Sequence, residues 1–170
     1  MKTEKEIVEA YLEALNHHDI DAVMSLYDDD TVFEIVDGDD ITGKSALRPF
    51  QEFYNALNSQ WHLFDYVSEP GQIVCQGTMQ NDWTRALGLD EMHYPSIKIT
   101  LRDGLITSMR PEASPESMKQ VEQANEAFMS WAAKEKPEAL AELMPDKFTY
   151  SKESALSLMT LLHEWQAVQA

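Results

Sequence analysis

The stretch from Ile7 to Gly43, IVEAYLEALNHHDIDAVMSLYDDDTVFEIVDGDDITG, constrains the fold more than any other. Ile7, Val8, Tyr11, Leu12 and Leu15 share one face of a helix that the spacing predicts over residues 3–16. Thr3 followed by Glu6 forms its capping box. A break at Asn16-His17-His18 leads to a shorter helix over 19–27, with Ala22, Val23, Leu26 and Tyr27 inward. After the acidic turn Asp28-Asp29-Asp30 comes a strand over 31–36. Its alternation places Phe33, Ile35 and Asp37 on one face and Val32, Glu34 and Val36 on the other. Two neighbouring helices, each with one apolar face, need a common surface to cover. The strand that follows them indicates a sheet.

A third helix is expected over 44–58, with Leu47, Phe50, Phe53, Tyr54 and Leu57 at helical spacing. Pro49 falls early in it, where proline is tolerated. The signal then changes to strands over 61–67, 73–83, 93–102 and 105–110. They are separated by the turn Glu69-Pro70-Gly71, a loop at Leu87-Gly88-Leu89-Asp90, and the hairpin signal Asp103-Gly104. Three helices followed by an antiparallel meander make an α+β domain. The helices cover one face of a bent sheet and leave a cone with an apolar interior.

The 170 residues are enough for one such domain with an appendage. A formal net charge of −17 repels phosphate backbones and anionic lipid heads, so neither nucleic acid nor membrane is an expected partner. No stretch approaches the roughly 20 apolar residues of a membrane span, and the first residues, MKTEKEIVEAY, lack the apolar core of a signal peptide. The single Cys75 allows no internal disulfide and no cysteine-based zinc cluster. A reducing, cytoplasmic location is the expectation.

Several short motifs in this order resemble the nuclear transport factor 2-like superfamily, close to SnoaL-like polyketide cyclases and ketosteroid isomerases. They are Ala10-Tyr11-Leu12-Glu13-Ala14-Leu15, Asp19-x-Asp21-Ala22, and Leu26-Tyr27-Asp28-Asp29-Asp30-Thr31-Val32-Phe33-Glu34. Thr42-Gly43-Lys44-Ser45-Ala46-Leu47, Gly77-Thr78, Leu87-Gly88-Leu89 and Arg102-Asp103-Gly104-Leu105-Ile106 complete the set. The resemblance implies a cystatin-like cone over 1–112, three helices on a curved antiparallel sheet, and sometimes a homodimer through the outer sheet face. It matches Tyr11 to the tyrosine that donates to a substrate oxyanion in the isomerases. Their catalytic base and second acid fall on Ile35 and Ile97, and the histidine of the cyclases falls near Trp83. Isoleucine cannot move a proton, so those mechanisms are not expected here.

Tyr11, Asp37 and His93 remain as candidate catalytic groups, with Asp82 and His62 behind them. Each has a plainer reading, as a core tyrosine, turn residue, rim residue or strand end. The expected ligand pocket is Tyr11, Phe33, Ile35, Phe53, Tyr54, Trp61, Trp83 and Ile97. No residue set has metal-ligand spacing and no glycine loop cradles a phosphate, so neither metal nor cofactor is expected. Three functions stay open: binding an apolar or aromatic small molecule, a cofactor-independent isomerase, cyclase or hydratase with a relocated base, and a protein-interaction module.

Residues 113–170 are an expected helical extension, with helices over 115–135, 137–144 and 152–168. Ala127-Phe128-Met129 sets beneath Ala10-Tyr11-Leu12, and Lys147-Phe148-Thr149-Tyr150 resembles the start of the first strand. The extension reads either as a second, truncated copy of the cone's first half or as plain amphipathic helices. Phe128, Trp131, Leu140, Leu143, Leu158, Leu161, Leu162 and Trp165 need a surface to cover. The outer sheet face or a second chain could supply it.

Overall fold

The computed structural model describes residues 1–170. Helices α1 (Glu4–Asn16) and α2 (Ile20–Ser25) lead into strand β1 (Tyr27–Phe33), and a two-residue strand β2 (Ile41–Thr42) precedes helix α3 (Lys44–Ala56). Strands β3 (Gln60–Glu69) and β4 (Gln72–Gln80) follow, then a short helix α4 (Asp82–Ala86), then strands β5 (Met92–Arg102) and β6 (Leu105–Glu112). Helices α5 (Pro115–Glu135), α6 (Pro137–Leu143) and α7 (Lys152–Gln169) complete the chain. The capping box of α1 forms as expected: Thr3 Oγ1 accepts from the Glu6 amide and Glu6 accepts from the Thr3 amide.

The sheet is curved and unclosed, in the order β2-β1-β6-β5-β4-β3. β3 to β6 form the antiparallel meander. Asp103 and Gly104, with φ 53 and 79, form the two-residue turn between β5 and β6. β1 departs from expectation and pairs parallel to β6, with Tyr27 opposite Ile106 and Phe33 opposite Met109, so the sheet is mixed. β1 also starts and ends earlier than the alternation implied. The acidic run Asp28–Asp30 lies within the strand, because only one face of this strand is buried. The chain beyond Phe33 leaves the sheet and turns at Asp37, which has φ 60.

The main core joins α1, α2 and one face of α3 to the inner sheet face through Val8, Tyr27, Leu47, Ile73, Ile99 and Ile106, all fully buried. Gly77 on β4 is an enforced gap in this layer. A Cβ there would come within 2.8 Å of both Ile97 Cδ1 and Leu63 Cδ2.

The extension packs mainly on helices, with Val121 of α5 also meeting Met79 and Met92 on the cavity side of the sheet. Its core joins Phe128 and Ala132 of α5, Leu143 of α6 and Leu158, Leu161, Leu162 and Trp165 of α7 to Phe53 and Leu57 of α3 and Ala86 and Leu87 beside α4. No strand residue belongs to that core. α3 therefore carries two apolar stripes: Leu47, Phe50 and Tyr54 face the cone, while Phe53 and Leu57 face the extension. Residues 147–150, which resemble a strand start, form no strand. Phe148 and Tyr150 pack instead edge-on against Phe53, with ring centroids 5.4 and 5.0 Å away.

Candidate functional site

The inner sheet face, α1, α3 and the extension enclose a cavity of about 720 Å³ lined by 31 residues, of which 22 are hydrophobic. Tyr11, Phe33, Ile35, Tyr54, Trp61, Trp83 and Ile97 all line it, as does Asp37 at its exposed edge. Phe53 does not. It lies on the other stripe of α3, in the core of the extension.

The polar end of the cavity is built from three elements. Tyr11 comes from α1, Tyr27 from the first position of β1 and Gln51 from the middle of α3. The Tyr11 and Tyr27 hydroxyls are 2.7 Å apart, and Gln51 Nε2 donates to Tyr27 at 3.2 Å and to Tyr11 at 3.5 Å. Either hydroxyl can donate in the short bond. When Tyr27 donates, the Tyr11 proton is left for the cavity. When Tyr11 donates, the Tyr27 proton turns to Met109 Sδ, 3.9 Å away. Burial pushes the Tyr11 hydroxyl up to about 12, against the opposing pull of its bonds to Tyr27 and Gln51. It is thus held as a neutral donor.

Two more tyrosines contribute open hydroxyls. Only Thr31 Oγ1 and Trp83 Nε1 are sealed polar side-chain atoms without a partner. The Tyr54 and Tyr94 hydroxyls also bond to no protein group but are not sealed, and both residues line the cavity. The apolar surroundings raise Tyr94 to about 12 and Tyr54 well above its ordinary value. Trp61 and Tyr94 pack with ring centroids 4.9 Å apart, and Phe33 and Phe50 at 5.0 Å.

His93 does not line the cavity. Between β4 and β5 the pairing passes from Cys75 with Ile97 to Gly77 with Tyr94, so β5 carries one extra residue there. This bulge at Pro95-Ser96 reverses the alternation. Ile97 and Tyr94 then both face inward, and His93 turns out. Its amide donates to Ser117 Oγ and its carbonyl accepts from the Ser114 amide, tying the start of α5 to the sheet.

Trp83 reaches the cavity from α4 instead of from a strand. β4 stops at Gln80 because Asn81 caps α4, its side chain accepting from the Thr84 amide while Thr84 Oγ1 accepts from the Asn81 amide. Asp82 begins α4 and pairs with Arg85 at 2.6 Å, away from the cavity. His62 stacks on Phe64 and is likewise no part of the lining.

Gln51 was legible as the one polar residue on the cone-facing stripe of α3, between Leu47 and Tyr54, though helical spacing alone gave it no role. Glu34 lines the cavity although alternation placed it outside, since the strand has ended before it. The extension adds Met118, Val121 and Glu122 of α5 and Tyr150, which stacks on Tyr54 at 6.3 Å. No group of three or more potential metal-ligating side chains is brought together. No helix is long and apolar enough to cross a membrane.

The SnoaL-like domain profile matches residues 8–109. Among solved structures, the epoxide hydrolase/cyclase-like enzyme SalBIII, described for pyran ring formation in the polyether salinomycin, superposes with a TM-score of 0.60 at 19% identity, over 66% of this chain and 92% of that one. An NTF2-like protein from Cytophaga hutchinsonii gives 0.55 at 16% identity, over 70% of this chain and 99% of that one. A provisionally named polyketide cyclase from Sinorhizobium meliloti gives 0.53 at 17% identity, over 63% and 94%. At these identities the likeness is one of fold. No curated protein matches the sequence significantly.

Proposed function

Because the chain belongs to the SnoaL-like domain family, we propose that its cone is a binding chamber for an apolar or aromatic small molecule. The observation that carries this reading is the cavity of about 720 Å³, apolar over most of its wall and ending in the neutral Tyr11 donor. A chamber of that size, with few and convergent polar groups, suits a ring-bearing ligand with one acceptor oxygen. The ligand's rings would lie against Phe33, Phe50, Trp61 and Tyr94, with the oxygen at Tyr11.

A neutral solvatochromic ketone dye such as Prodan tests the chamber, competed by unlabelled apolar ring compounds. A blue-shifted, competable signal is expected. No binding by folded, monodisperse protein overturns the reading. Tyr11→Phe should weaken such a carbonyl-bearing probe by about 0.5–1.5 kcal/mol, the usual worth of one hydrogen bond.

A second reading keeps Asp37 as a relocated general base, because of the acids proposed earlier it alone lines the cavity. Under that reading, Asp37→Asn abolishes turnover while leaving dye affinity near that of the parent. Ketosteroid isomerisation itself should stay undetectable, since Ile35 and Ile97 supply no proton. A cone packed shut with side chains would favour the interaction-module reading, and a cavity of about 720 Å³ gives it no such support. Pairing of two copies through the outer sheet face belongs to the same proposal and is tested by light scattering.

A further inference from the structure

The cavity wall has an uneven charge. Lysine and arginine are absent from the lining, and its only ionisable base is His18, whose Nε2 lies 3.1 Å from the Ser59 carbonyl. Three carboxylates line it: Glu34, Asp37 and Glu122. Glu34 is partly compensated by Arg110 at 3.8 Å. Asp37 and Glu122 make no ion pair, and both are exposed, so they stand at the wet edge of the space. One comes from the turn after β1 and the other from α5, so the edge is acidic on two separate elements. Behind them lie aromatic residues, Phe33, Phe50, Tyr54, Trp61 and Tyr94.

From this arrangement we infer that the chamber selects its ligands by charge: it takes an apolar, ring-bearing amine and rejects carboxylates and phosphates. This rests on the chamber reading above. An anion entering the cone loses its water and meets no cation to replace it. An ammonium group can remain at the edge, near Asp37 and Glu122 and still hydrated, while its apolar body fills the interior. A cation that moves deeper faces aromatic rings, which attract it.

Three probes sharing one ring system test this by calorimetric titration of the full chain: 1-naphthalenemethylamine, 1-naphthalenemethanol and 1-naphthoate. The amine should bind more tightly than the alcohol, and about tenfold or more above the carboxylate, as expected of a charge pair at a protein edge. Raising salt should weaken the amine and leave the alcohol unchanged. The double variant Asp37→Asn/Glu122→Gln alters two exposed side chains, and there the amine should fall to the level of the alcohol. Equal binding of amine and carboxylate, or an amine weaker than the alcohol, overturns charge selection and leaves the chamber standing. Failure of all three to bind overturns both readings.

Discussion

The cone and the extension each bury a core, but they do so on different terms. The cone owns its sheet, and its core residues come from α1, α2, α3 and every strand except β2. The extension has no strand, and a third of its 12 core residues belong to the cone: Phe53, Leu57, Ala86 and Leu87. Three helices without a sheet leave apolar faces that need a neighbour, and here α3 and α4 supply it. The cone in turn takes part of its cavity wall from the extension. The cone has a sheet and a main core of its own but borrows cover for four apolar residues and part of its chamber wall. The extension has no sheet, and its core is incomplete without the cone.

Removing residues 114–170 is the harshest test of that asymmetry. It uncovers the four cone residues above, and each fully buried apolar side chain is worth about 1.5–3 kcal/mol. The truncated cone should aggregate or melt well below the full chain, and the excised extension should lose its helical circular dichroism. A truncated cone as soluble and stable as its parent, by light scattering and thermal melting, would show that the cone does not depend on the extension's cover.

Point substitutions sharpen it. Phe128→Ala, at a fully buried position in the extension, should cost about 3–5 kcal/mol, and Leu47→Ala in the cone about 2–5 kcal/mol. The patterns should differ more than the sizes. Hydrogen exchange should rise across α5–α7 alone in the first variant and across the whole chain in the second. Uniform exchange in both would make the molecule one cooperative unit.

The joint between the units gives a smaller effect. Asn81 is fully buried; it caps α4 and donates to Ser59 Oγ at 3.3 Å. Asn81→Ala should cost about 0.5–2 kcal/mol, read from the urea midpoint. An unchanged midpoint would mean that α4 is held by the extension and not by its cap.

The mildest test is alkaline pH. Tyr11 and Tyr94 are held near 12 by burial, and Cys75 near 11. Below their ordinary values these groups are protonated in folded and unfolded chains alike, so stability should not change on their account. Above about pH 9 for the thiol and 10 for the phenols, only the unfolded chain ionises, and stability falls as pH rises through the folded values. Of six tyrosines only Tyr150 lies in the extension, so the loss should start in the cone. Tyrosine absorbance that titrates at its ordinary pH without unfolding would contradict this.

Much of this architecture was legible because periodicity survives burial on one face. The helices of the extension fall within a residue or so of their expected bounds, since caps at Ser114 and Ser151 and proline at 137 punctuate them. The inside of the cone was harder. One extra residue at Pro95-Ser96 exchanges His93 for Tyr94, and its one local sign is a shift of the apolar phase across Pro95, from Met92 and Tyr94 to Ile97 and Ile99. Trp83 was read as strand because Asn81-Asp82-Trp83-Thr84, a capping box with threonine in place of glutamate, follows the β-rich run with no glycine or proline at the junction. Phe53 misled because a helix with cores on two sides shows a single broad apolar stripe. The Tyr11, Tyr27 and Gln51 triplet joins three elements, and no local pattern specifies it.

The parallel pairing of β1 with β6 also sets a timetable for the growing chain. Tyr27 finds its partner Ile106 only after 106 − 27 = 79 further residues have been made, a wait of about 4–16 s at ordinary synthesis rates of roughly 5–20 residues per second. Throughout that interval β1 has an unpaired edge and carries Tyr27, Thr31 and Phe33, which end up buried. Edges in that condition recruit other chains, and charge on the strand is what keeps them apart. Asp28, Asp29 and Asp30 sit in the middle of the strand that must wait longest. Three like charges there oppose such pairing before the cone exists, and in the folded chain two of them face cations, Asp28 at Arg102 and Asp29 at Lys44.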